Sequence, residues 1–433
     1  MLERDQIVAL DRRHVWRPYT SSEDHQSIDP MVVVRARGAW LQDADGRHYL
    51  DGNGSWWCNN LGHGHPRLME ALRRQSEELA HCSLAGITHE PAARLAEELA
   101  RSAPQGLSRV FYSDDGSTAV EVALKIALQY WRQNGRPERT RFVTLAGAYH
   151  GDTSGTMSLG GMDTFRSMYA PMLFEPVRAP DPDEGGLGWA RVADAIEEHL
   201  EEEGDTLAGV VVEPMIQGVA GMRMYPPDIL RRLREVTRRT GTLLIADEVF
   251  TGFGRTGQMW ACDHAGVAPD LLCTAKGLSG GVLPFAATLA TEALFDGFRG
   301  GKDRALMHGH TFCGNPLGAA IAREVLAVYR DEDVVGEVRR KAPRVAATFE
   351  RLAELPGVHR PRALGMVGAV DLGAGGYLGK SGWNVYEAAR RRGAYLRPLG
   401  DTVYMCPALT ISDEDLDRLL QIVEASVSEV MDG

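Results

Sequence analysis

Short apolar runs alternate with stretches whose apolar positions recur at helical spacing, and this alternation constrains the fold more than any other feature. A strand-length run followed by an amphipathic helix buries itself best as one strand of a parallel sheet with helices on its faces. The expected fold class is therefore α/β with a mostly parallel central sheet. Candidate strands lie at 110–112, 142–145, 210–213, 243–247, 271–274 and 286–290. The clearest helix runs from 118 to about 133, where Ala119, Val122, Ala123, Ile126, Ala127 and Tyr130 form one stripe. Another runs from 227 to about 239, with Pro227 at its start and Gly241 just past its end.

After about residue 317 the pattern changes. Helical sequence at 318–329 and about 331–355 is followed by short strands at 366–372 and 403–405. A last helix is announced by Ser412-x-x-Asp415, and Leu416, Leu419, Leu420, Val423, Val427 and Val430 make its apolar face. The 433 residues suit two domains at roughly 100–200 residues each. We expect an N-terminal segment 1–62, rich in Trp and turns, a large domain 63–317, and a small α+β domain 318–433.

Lys+Arg number 47 against Asp+Glu 59, a net charge of −12 that argues against a nucleic-acid backbone binder. No apolar run approaches the ~20 residues of a membrane-spanning helix. The opening MLERDQIVALDRRHVW is charged throughout, so no secretory signal is expected. Six cysteines at irregular spacing read as reduced thiols in a cytoplasmic protein. The pair His63-Gly64-His65 has no matching cluster elsewhere, and no metal is assigned.

The carboxyl ends of parallel strands meet at a shared crevice where ligands bind. The run 243–247 ends in Asp247-Glu248, and 271–275 leads into Lys276-Gly277. A lysine that can form a Schiff base and a carboxylate that can hold a ring nitrogen protonated are what pyridoxal phosphate requires. At ~4 Å and an effective dielectric of ~20, such a pair is worth about 4 kcal/mol. On spacing alone, Asp at a strand end is more often a cap and Lys more often a solvated group. Ser113-Asp114-Asp115-Gly116-Ser117-Thr118 follows a strand and opens a helix. It could cradle a phosphate on free N–H groups, or be an ordinary cap supplied by Ser117 or Thr118. Asp114 and Asp115 would repel a phosphate unless they turn away. Tyr149, at the mouth of another strand, could stack on a planar ring, and Tyr19, Trp56 and Trp57 could line an apolar pocket; without further context Tyr149 reads sooner as a half-buried core residue, and a Trp pair is more often core than site.

Taken together these segments are less ambiguous. LLIADEVFTGFGRTG (243–257) followed by TAKGLSGG (274–281) resembles the signature of the class III, ω-amino aminotransferases, of pyridoxal-phosphate fold type I, aspartate aminotransferase-like. The phosphate turn, AYHGD and HGHTFCGNPLGAA (308–320) fall in that family's order, and the resemblance covers nearly the whole chain. HVWRPYTS (14–21), DGNGSWWCNNLGHGHP (51–66), FYSDDGSTAVEVALKIALQYW (111–131) and AYHGDT (148–153) are similar to the branch acting in biotin biosynthesis. That branch aminates 8-amino-7-oxononanoate to 7,8-diaminononanoate with S-adenosylmethionine as donor.

The resemblance implies roles. Lys276 holds pyridoxal 5'-phosphate as a Schiff base and then shuttles a proton; Asp247 pairs with the ring nitrogen; Tyr149 stacks on the ring. Gly116 and Ser117 bind the phosphate, and Thr311 reaches the phosphate of the neighbouring subunit, which implies a homodimer with composite sites. Tyr19, Trp56 and Trp57 make an aromatic substrate pocket, Arg397 takes the substrate carboxylate, and Gly309 and Asp152 match weaker substrate positions. On this resemblance residues 63–317 are the cofactor domain, and residues 1–62 pack with the small domain and the substrate site. Arg255 is a family position without a clear role. Two departures stand out. Asp115 replaces a Ser frequent in the family. His310 replaces a Pro, and some relatives that use lysine as donor carry Gly-His there, which leaves the donor open between S-adenosylmethionine and lysine. Another class III ω-amino acid aminotransferase is the alternative activity.

Overall fold

The computed structural model describes residues 2–432. Its centre is a seven-stranded sheet: β1 (Leu107–Ser113), β2 (Arg141–Thr144), β3 (Val177–Arg178), β4 (Leu207–Val212), β5 (Leu243–Asp247), β6 (Leu271–Thr274) and β7 (Ala286–Thr291). The order is β1-β7-β6-β5-β4-β2-β3. β7 pairs antiparallel with β6 and β1, and the other neighbours pair in parallel. The reason is the link between β6 and β7. Residues 275–285 hold only the short turn Lys276–Ser279, too little for the crossover that a parallel return requires.

Strands β4, β5 and β6 are buried along their whole length. Alternation of side chains then sends residues to two cores. Val211 and Ile245 pack with the stripe Ala119, Val122, Ala123 and Ile126 of helix α1 (Gly116–Gln133). Val210, Val212, Leu244 and Ala246 face Ile229, Leu230, Leu233 and Val236 of helix α2 (Pro227–Thr240). Helix α2 ends where expected, on Gly241 at φ 65°.

Two features escaped the sequence reading. Residues 33–51 form three antiparallel strands, Val33–Arg37, Trp40–Asp43 and His48–Asp51, and the last pairs in parallel with Ala394–Tyr395. The N-terminal segment is thereby stitched to the C-terminal region. The sheet of that region also gains a strand, His359–Leu364, beside Val367–Asp371 and Thr402–Met405. Its polar, largely exposed sequence carries no apolar alternation. The helix Val334–Leu352 lies on this sheet, and the last helix, Asp413–Asp432, packs against it, with the Asp415 N–H donating to Ser412 Oγ. The helix after residue 315, Pro316–Asp331, packs on Pro66–Glu78 and Glu90–Ser102, so one apolar core continues from Phe285 through Val325 to Leu416. Among the described residues no helix is long and apolar enough to cross a membrane.

Candidate active site

The carboxyl ends of β1, β2, β4, β5 and β6 surround a cavity of about 780 Å³, lined among others by Gly116, Ser117, Tyr149, Asp247 and Lys276. Lys276 is placed by the end of β6 and the tight turn that follows, where its own φ is 37°. Removal from water pushes its pKa down, against the opposing pull of Asp247 and Glu213. A share of neutral amine is what a nucleophile or proton carrier needs. Its Nζ stands 5.2 Å from the centre of the Trp57 ring.

Asp247 ends β5 and is buried. One oxygen accepts from the Val249 N–H at 3.1 Å, and the other is 2.7 Å from His150 Nδ1. Burial disfavours a charged His150, but Asp247 and then Glu213 outweigh it, so its pKa is raised. Glu213, just past β4, accepts from the N–H of Tyr149 at 3.1 Å and of Gly218 at 2.9 Å. Burial pushes its pKa up to about 7, with Asp247 adding to the rise and His150 opposing it. Neither His150 nor Glu213 was singled out from sequence. His150 stood in a quoted segment, but nothing in the chain indicates which carboxylate, 97 residues away, it will meet.

The turn into helix α1 corrects the capping expectation. Asp115, not Ser117 or Thr118, is the N-cap: its carboxylate accepts from the Thr118 N–H at 2.9 Å. Asp115 is thus turned onto the helix as its cap, while it still borders the cavity. Ser117 Oγ lies 2.9 Å from Thr153 Oγ1 and 2.8 Å from Thr156 Oγ1, and accepts from the Thr153 N–H. First-turn geometry leaves the N–H groups of Gly116 and Ser117 without intrahelical acceptors, at the positive end of the helix dipole. A Cβ on Gly116 would come 2.5 Å from Val249 Cγ1, so only glycine brings the backbone this close. An anion held by backbone amides, a lysine and a buried carboxylate on one cavity fit the charges and size of pyridoxal phosphate.

A smaller annex of about 250 Å³ opens from Lys276 and is lined by Tyr19, Trp56, Trp57, Tyr149, Phe165, Val219, Tyr377 and Leu399. The Tyr149 hydroxyl donates to Asp152 at 2.9 Å; the Tyr19 hydroxyl also donates to Asp152 and lies 3.1 Å from that of Tyr149. Burial, reinforced by Asp152, pushes Tyr19 up to about 12 and Tyr149 further. Phe165 and Tyr377, also missed from sequence, close the far side with rings 4.9 Å apart. The Arg397 guanidinium lies 4.5 Å over the Trp56 ring, its backbone is held by Asn53, and no carboxylate among the described residues pairs with it. Arg255 is wholly buried, donating to the Pro407 carbonyl and to Asn60, which makes it a tie between segments rather than a site group.

Gly309 and Thr311 are not brought to this cavity. They lie on an exposed segment where His310 Nε2 is 3.4 Å from Asp114. Among the described residues no cluster could hold a metal ion.

The family model described as Aminotransferase class-III matches residues 20–427. The chain is 43% identical to the adenosylmethionine-8-amino-7-oxononanoate aminotransferase of Nitratidesulfovibrio vulgaris, over 98% of this chain and 81% of that protein. It is similar to the crystal structure of the enzyme of that name from Methanocaldococcus jannaschii, with TM-score 0.94 and 32% identity, covering 98% of this chain and 99% of the other. An amine transaminase from an uncultivated Pseudomonas species, solved with PLP bound, aligns with TM-score 0.90 and 34% identity over 96% and 98% of the two chains.

Proposed function

Because the chain belongs to the class III aminotransferases, we propose that it transfers an amino group from S-adenosylmethionine to 8-amino-7-oxononanoate, yielding 7,8-diaminononanoate for biotin synthesis. It is a pyridoxal-phosphate-dependent enzyme. The observation that supports this substrate best is the Arg397 guanidinium, free of any paired carboxylate among the described residues and stacked over Trp56, one of the aromatic residues that line the annex beside Lys276. A planar, permanently charged fork suits a carboxylate, and an apolar slot suits both an alkyl chain and an adenosyl ring.

When bound, the cofactor supplies an electron sink for the substrate's Cα–H bond electrons. The remaining work falls to side chains. Lys276 Nζ anchors the cofactor and carries the proton during transfer. Asp247, backed by His150, keeps a proton on the ring nitrogen. Tyr149 covers the ring, and the N–H groups of Gly116 and Ser117 hold the phosphate. Tyr19, Trp56 and Trp57 exclude water from the substrate chain.

Thr311 and Gly309 belong, on this reading, to the site of a second subunit. That makes the active form a homodimer with composite sites, and their exposure in one chain supports it. The division into 1–62, 63–317 and 318–433 follows the same logic: cofactor groups come from the middle segment, Tyr19 and the Trp pair from the first, and Arg397 from the last. Six unpaired thiols suit the cytoplasm.

The test is a half-reaction. Holoenzyme is mixed with S-adenosylmethionine or with lysine, and the cofactor's visible absorption is followed; 8-amino-7-oxononanoate should then restore it. Loss of the band with lysine alone would transfer the donor role to lysine. Restoration only by other ω-keto compounds would point to another class III activity.

A further inference from the structure

Four consecutive residues, Gly54, Ser55, Trp56 and Trp57, have φ of 52°, 47°, 62° and 77°. Three of them carry a Cβ, and a left-handed run is strained for such residues. Strain of this kind persists only where surrounding contacts over-determine it. The run is also what aims the two indoles: Trp56 under the Arg397 guanidinium and Trp57 beside Lys276.

One buried carboxylate gathers the contacts that hold it. Asp51 Oδ2 accepts from the Ser55 N–H at 2.8 Å, from Ser55 Oγ at 3.1 Å and from His63 Nε2 at 2.9 Å. The Asn59 amide donates to His63 Nδ1 at 3.1 Å, which leaves Nε2–H as the donor to Asp51. Asp51 Oδ1 accepts from the Asn53 N–H at 3.2 Å, and Asn53 in turn grips the Arg397 backbone, donating to its carbonyl at 3.1 Å and accepting from its N–H at 2.8 Å. Ser55 and His63 do not form a hydrolytic pair, because the same nitrogen, Nε2, faces both Ser55 and Asp51.

We propose that Asp51, His63 and Ser55 form a positioning clamp that forces the left-handed turn at 54–57 and thereby sets the carboxylate-binding geometry of Trp56 and Arg397. The clamp rests on the substrate reading above. None of its three members lines the slot beside Lys276, so they act through the turn and not on the reacting atoms.

Glycine adopts left-handed geometry without strain, whereas alanine does not. Ser55→Ala and Ser55→Gly both lose the hydroxyl, yet only Ser55→Gly relieves the strain at position 55, leaving Trp56 and Trp57 as the left-handed residues that must still be held. In the holoenzyme, His63→Ala should raise KM for the amino acceptor about tenfold with kcat changed less than twofold, and should alter the near-ultraviolet circular dichroism of the indoles. Adding Ser55→Gly to His63→Ala should return both readouts in part, because one of the three strained residues is relieved. If His63→Ala does not fold, Ser55→Ala should show the KM rise at smaller size and Ser55→Gly should lack it. An unchanged KM in His63→Ala, a fall in kcat alone, or equal behaviour of the Ser55 variants would overturn the clamp. If the acceptor were not a substrate at all, the wild-type enzyme would fail to turn it over while the dichroism change and its reversal by glycine remained.

Discussion

At the scale of single residues, the chemistry is set by which charges share the cavity: Lys276 and Asp247 stand there with His150 and Glu213, and Asp114, Asp115 and Asp152 border it. Asp247 is buried, so its bond to the ring nitrogen would act at low screening, roughly 4 kcal/mol at an effective dielectric of ~20. Asp247→Asn should therefore slow single-turnover loss of the cofactor band by about a thousandfold. A change under tenfold in stopped-flow absorbance would show that His150 and Glu213 can hold the proton without it. Lys276 and Asp247 were legible as residues worth attention because each ends an apolar run. Their partners were not, since His150 and Glu213 acquire meaning only where strands far apart in sequence lie side by side.

Elements carry the next level. Helix α1 was legible from its stripe, but its start was not: Asp115 caps it, ahead of the expected Ser117 or Thr118. Competing caps in one Ser/Asp/Thr-rich turn differ by little in energy, so tertiary context selects among them. Asp115→Ala should cost about 1 kcal/mol of stability, read as a lower unfolding midpoint. Asp115→Ser keeps a capping oxygen and removes a negative charge beside the phosphate turn. It should match wild type in stability and bind pyridoxal phosphate more tightly in a fluorescence titration. Weaker binding by Asp115→Ser would mean the carboxylate contributes to the site. At β7 the expected strand formed, but antiparallel, because the short link 275–285 permits nothing else.

At the scale of the whole molecule, folding sets the protonation of buried groups. Glu248 accepts from Thr251 Oγ1 and from the N–H groups of Ala261 and Cys262, and burial still pushes its pKa up to about 7. Unfolded glutamate ionises near ~4.3. Between these values the folded chain holds the extra proton, so stability falls as pH rises through the window and levels off above it. Glu248→Gln should lack this part of the slope, about 4 kcal/mol, and its unfolding midpoint should gain on wild type from pH ~4.3 to ~7. Parallel curves would show that Glu248 is ionised throughout. The proposed composite sites make a second prediction. Lys276→Ala and Thr311→Ala chains, each impaired alone, should regain activity when mixed under exchange, because one hybrid site then has both residues. The sequence by itself determined the fold class, since local periodicity survives in one dimension, and it drew attention to the strand-end lysine and carboxylate; the roles of these, of the aromatic residues and of Arg397 came from the resemblance to a family and not from spacing. Only the tertiary structure decided that Asp51 and His63 brace the turn presenting the Trp pair, that His150 backs Asp247, and that residues 33–51 join the C-terminal region. The last two are contacts between segments far apart in the chain, and the first is a local fold of 51–63 that no periodicity announces; in each, contact energy depends on distance in space.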